Sequence, residues 1–114
     1  MTASSYSTII QYLLHRLGIT EQYIGFFQAV YAVQLSIGDV DRLRLVTKLI
    51  YPEVAGRYGT TWMAVERNMR TIISIAWDTD PLLLSELAGF PLKRKPTNTH
   101  FLAILTFFCT RIIM

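Results

Sequence analysis

The chain has one cysteine, Cys109, so no internal disulfide can form and its stability must come from packing. Charge is scarce: 17% of residues are Asp, Glu, Lys or Arg, against 52% hydrophobic. That composition excludes a disordered polyelectrolyte and fits a compact fold. No segment alternates apolar and polar residues for long, which argues against half-buried strands. No apolar run approaches the roughly 20 residues that cross a bilayer; the most apolar one, FLAILTFF, covers only residues 101–108. The start, MTASSYSTII, lacks the basic region and apolar core of a secretory signal. The two histidines, His15 and His100, stand far apart with no cysteine or paired carboxylates at ligand spacing, so no metal is expected. There is no glycine-rich phosphate loop and no nucleophile–base motif, so neither an enzyme nor a cofactor is expected. Together these absences point to a reducing, cytoplasmic setting without membrane contact.

What is present fits one domain. The 114 residues can bury a core unaided. Residues 1–8 are small and polar and read as a flexible tail, leaving residues 9–114 as the domain. IIQYLLHRLG, at 9–18, has apolar residues at helical spacing, with Gly18 as its C-cap. The stretch 22–37 is apolar on most sides and reads as a central buried helix ended by Gly38 and Asp39. Residues 40–50 form a short helix or continue that one. PLLLSELAGF, at 81–90, is a short helix ended by Gly89, PLKRKPTN a loop between prolines, and 99–114 a final helix. The expectation is an all-α fold of about six helices.

Between them, residues 51–77 carry the pattern of a helix-turn-helix. Pro52 suits a first helical turn. Gly59 can take the left-handed conformation of a sharp turn, and Thr60 or Thr61 can cap the helix that follows. On a wheel of about 100° per residue, Trp62, Val65, Met69, Ile72, Ile73 and Ala76 share one side of that second helix. Met63, Arg67, Arg70, Thr71 and Ser74 share the other, with Glu66 at its edge. Trp77 anchors the helix in the core, and Trp62 is expected to pack. Two arginines on one face repel each other in isolation and become favourable beside a polyanion. Arg can pair bidentately with guanine, Glu can accept from cytosine, and Glu66 can hold Arg70 at i,i+4 beforehand.

Charge is also segregated along the chain. Residues 42–70 hold Arg42, Arg44, Lys48, Arg57, Arg67 and Arg70 against only Glu53 and Glu66, and Lys93, Arg94 and Lys95 form a second basic run. Brought together, the two segments would make an anion-binding face.

The segment LIYPEVAGRYGTTWMAVERNMRTIISIAW, with KPTNTHF at 95–101, resembles the C-terminal effector domain of the master sporulation response regulator of endospore-forming bacteria. The similarity spans about residues 10–105. It implies a six-helix, DNA-binding transcription regulator, acting at the nucleoid on double-stranded DNA. Its recognition helix would read a TGTCGAA-type box in the major groove through Glu66, Arg67 and Arg70. Lys95 would reach DNA from the side, with Lys93 and Arg94 beside it. Thr60 and Thr61 would present backbone N–H groups to phosphate, and Met63 and Thr71 would flank the contact.

The chain departs from that pattern in places. Met63 and Ala64 stand where the family generally has small polar or basic residues, and Thr71 where it often has His. The 78–94 region is short; in the family it lies near the surface that meets the RNA polymerase sigma subunit. The phosphoacceptor domain of the family's regulator has no counterpart in these 114 residues. The last helix is apolar on every side, through Phe101, Leu102, Ile104, Leu105, Phe107, Phe108, Ile112 and Ile113, which predicts a homodimer through 99–114. A second function is therefore weighed: a protein-interaction module on the same fold that pairs with or antagonises a full-length regulator without reading DNA. Cys109 reads as a small buried apolar residue.

Overall fold

The computed structural model describes residues 6–111 and is all-helical, with no strand among the described residues. The order is α1 (Ser7–Arg16), α2 (Gly25–Gly38), a 3-10 segment (Val40–Leu45), α3 (Val46–Leu49), α4 (Tyr51–Tyr58), α5 (Trp62–Thr79), α6 (Pro81–Ala88) and α7 (Asn98–Arg111). Seven helices stand against the six expected because residues 40–50 split: a 3-10 segment leads into the single turn of α3. α1 begins at Ser7, two residues before the expected boundary; most of the anticipated tail, and Ile112 and Ile113 of the last helix, lie outside the described residues.

α2 is the central helix, as its composition implied. It touches α1, α4, α5, α7 and the 3-10 segment, and buries Phe26, Ala29, Val30, Ala32 and Val33. Its N-terminus lies close against α5. A Cβ at Gly25 would sit 2.9 Å from the Asn68 carbonyl oxygen and 3.1 Å from Ile72 Cγ2, so only glycine fits there unstrained. One turn on, the Asn68 side-chain amide donates to the Gln28 side chain at 3.0 Å, which satisfies a polar group buried to 3% exposure.

The apolar final helix is mostly core. Phe101, Leu102, Ile104, Leu105, Thr106 and Cys109 of α7 are buried, principally against α2. Phe107 is the large apolar side chain of α7 that stands exposed among the described residues. The expected all-round apolar surface is thus absorbed by α2, α5 and α6 packing on several sides of one helix. Burial pushes the Cys109 thiol up to about 11, which leaves it protonated and inert near neutral pH.

The close approach at Gly25 makes a direct prediction. Gly25→Ala must push α2 off α5 and should cost about 1–3 kcal/mol, read as a lower urea midpoint, while Gly56→Ala, where an added Cβ meets nothing within 4 Å, should be neutral or stabilising.

Candidate nucleic-acid interface

The helix-turn-helix forms from short-range chemistry. Gly59 ends α4 in the left-handed region, at φ 63° and ψ 39°. The Thr60 N–H turns back to the Ala55 carbonyl at 3.0 Å. Thr61, in an extended conformation, caps α5, its hydroxyl accepting from the Ala64 N–H at 3.1 Å. Of the two threonines expected at this end, Thr61 is therefore the cap, and the Thr60 N–H is engaged with α4 rather than free for phosphate. The N–H groups of Thr61, Trp62 and Met63 have no acceptor among the described residues.

α5 has two unlike faces. Val65, Met69, Ile72, Ile73 and Ala76 are buried, as the wheel predicts. Trp62 is the exception. It stands 39% exposed at the start of the helix, because the inner face does not become covered until Val65. Trp77 is partly buried against the core. Each buried side chain contributes about 1.5–3 kcal/mol, whereas a surface pair at i,i+4 contributes about 0.5 kcal/mol at most. The core therefore decides how α5 is rotated, and the outer face contributes little to stability by comparison.

That outer face carries the expected residues. Met63, Arg67, Arg70 and Thr71 are exposed and Glu66 is half-buried. Arg70 Nη2 lies 3.3 Å from Glu66 Oε1, the pairing anticipated at i,i+4. Arg67 has no carboxylate partner among the described residues. The Thr71 hydroxyl donates to the Arg67 carbonyl at 3.1 Å, so its proton is committed to the helix.

The second basic segment meets this face. Lys95 Nζ donates to Ser74 Oγ at 2.9 Å, bringing the loop before α7 against the outer side of α5. Asn98, at the start of α7, donates from its side-chain amide to the Glu66 carbonyl at 3.1 Å. These two bonds join segments more than 20 residues apart and were not foreseen. The helical wheel puts Ser74 on the outer face, yet nothing local marks it or Asn98 as a partner for another segment. Beneath them, a groove of about 250 Å³ runs between Thr47, Tyr51, Glu66, Arg70 and Thr97. Burial pushes the Tyr51 phenol up to about 12, against the opposing pull of Asn98.

The earlier cations of the first segment do not all join the face. Arg42 pairs with Glu53 at 3.1 Å and donates to the Leu49 carbonyl at 2.8 Å. Arg57 lies over the Tyr31 ring at 4.5 Å. Both are held by partners of their own. Arg44 and Lys48 stand exposed without a carboxylate partner among the described residues, and the cations on and beside α5 are Arg67, Arg70 and the Lys93–Lys95 run. Elsewhere, His15 and Glu21 pair at 2.6 Å at the end of α1, which holds the Glu21 carboxyl below its usual range. Among the described residues, no three of His, Cys, Asp and Glu gather where they could hold a metal, and no helix is long and apolar enough to cross a membrane.

The capping bond gives a test of the scaffold alone. Thr61→Ala should lower unfolding stability by about 1 kcal/mol, measured by urea denaturation, whereas Thr60→Ala, which keeps the backbone bond to Ala55, should change it by less than half as much.

Residues 10–107 match the family described as the sporulation initiation factor Spo0A C terminal. The match covers the whole of the helix-turn-helix, the basic loop and most of α7. The chain belongs to this Spo0A C-terminal family, an all-α, DNA-binding domain of a sporulation transcription regulator.

Proposed function

We propose that the chain reads a TGTCGAA-type box in the major groove with the outer face of α5. The observation that carries this reading is the convergence of Glu66, Arg67 and Arg70 on a face that contributes little to stability, with Lys95 brought to it through Ser74. Arg67, without a partner, is ready to pair with guanine O6 and N7. Arg70 exchanges its contact with Glu66 for a second base, and the freed Glu66 accepts from a cytosine amino group. The Trp62 and Met63 N–H groups meet phosphate at the positive end of the helix. Lys95, with Lys93 and Arg94, neutralises the flanking backbone. Met63, 55% exposed, supplies apolar contact to a thymine methyl or to sugar.

A second reading has an observation of its own. Leu82 is 76% and Phe90 53% exposed at the two ends of α6, and Phe107 stands exposed on α7. An apolar group of this kind suits a protein partner: a second copy in a homodimer, or the polymerase sigma subunit. A module working only through that surface would have no need of Arg67 and Arg70.

Fluorescence anisotropy separates the two readings. A duplex carrying the box should bind about a thousandfold more tightly than a scrambled one, with affinity falling steeply as salt rises. The Arg67→Ala, Arg70→Ala double variant should lose most of that preference, at about 1–3 kcal/mol per bidentate contact, with its unfolding transition unchanged. Equal, weak binding of both duplexes by the unaltered chain would instead mean that the fold is kept without base reading, and would turn the search to a protein partner.

A further inference from the structure

The loop that brings Lys95 to α5 also borders an open pocket of about 500 Å³, its lining largely apolar. The Phe90 and His100 rings lie nearly parallel there, 17° apart in plane and 6.1 Å between centroids. Pro91 and Pro96 flank them, and Phe90 remains 53% exposed. Lys93, Arg94 and Lys95 form the rim. Among the described residues, no carboxylate pairs with any of the three. Lys95 is tied to Ser74, whereas Lys93 and Arg94 have no hydrogen-bond partner there. An exposed aromatic ring beside cations without a carboxylate partner is complementary to a flat ring carrying negative charge. The volume falls within the usual range for small-ligand sites. A duplex backbone suits the pocket less well, because phosphodiesters on a convex cylinder offer nothing flat to the Phe90–His100 wall.

We propose that this pocket binds a small phosphorylated aromatic molecule, its ring against Phe90 and His100 and its phosphate on Lys93 and Arg94, and that occupancy weakens DNA binding. The pocket reaches the outer face of α5 through the Lys95–Ser74 bond, so an anion held there draws on cations that DNA would otherwise use. The effect on DNA rests on the function proposed above. Binding of the small molecule does not.

Phenyl phosphate is the probe, titrated into the full 114-residue chain and followed by the backbone amide signals in two-dimensional NMR, with inorganic phosphate in parallel. Phenyl phosphate should move the signals of Phe90 to Thr97 and half-saturate about tenfold lower than inorganic phosphate. Phe90→Ala should erase that difference, and Lys93→Gln with Arg94→Gln should weaken both ligands. Because Phe90 is half exposed, its variant should keep the parent's spectrum elsewhere. At saturation and matched ionic strength, phenyl phosphate should raise the DNA dissociation constant about fivefold or more, and not in Phe90→Ala. No movement of the loop signals would overturn the proposal. So would equal half-saturation by the two phosphates, which would leave the rim as a plain phosphate contact of the kind a DNA backbone supplies. An unchanged DNA constant would overturn the regulatory half. If the chain proves unable to prefer the box, the Phe90-dependent shifts still decide the pocket.

Discussion

The close approach of α2 to α5 is the contact on which the rest depends. Gly25 lets the N-terminus of α2 lie against the Asn68 carbonyl, and the Gln28–Asn68 bond holds the two helices in register. A helix has one rotation that buries five apolar side chains together, and this contact selects it. Everything exposed on α5 follows from it. Turning α5 by a single residue, about 100°, would bring Arg70 toward the core and cost far more than any surface pair could return. The arginines face solvent because the opposite face is needed inside.

Around that axis the molecule divides its polar work. Local bonds shape the turn: the Ala55 carbonyl ends α4 and the Thr61 hydroxyl starts α5. Long-range bonds assemble the face: Asn98 fixes the start of α7 to the middle of α5, and Lys95 follows it onto Ser74. Family membership accounts for DNA binding as a role. The geometry explains how a domain with little charge can perform it. Two of the cations, Arg42 and Arg57, are held by partners of their own, while Arg67 on α5 has no carboxylate partner among the described residues.

Segment composition overstates the basic face. Counting charges over residues 42–70 treats every cation as available, but a carboxylate and an aromatic ring distant in sequence take two of them. Trp62 is a similar case. Its wheel position matches that of Val65 or Met69, but helix ends protrude past their neighbours, and no periodicity records where the neighbouring helix stops. The final helix shows the converse. Apolar residues on every side suggested a sticky surface, and α2, α5 and α6 together cover most of it.

The sequence by itself determined the helices, the left-handed turn at Gly59, a threonine cap at position 60 or 61, the inner face of α5 and the Glu66–Arg70 pair. Each of these depends on residues within about one or two helical turns, where spacing is geometry. Only the tertiary structure decided which cations stay unpaired, that Lys95 meets Ser74, that Asn98 holds α5, and that Phe90 and His100 line a groove beside a basic run. Those contacts join positions between 10 and 32 residues apart. Their partners are chosen by the packing of whole helices, which no local pattern encodes.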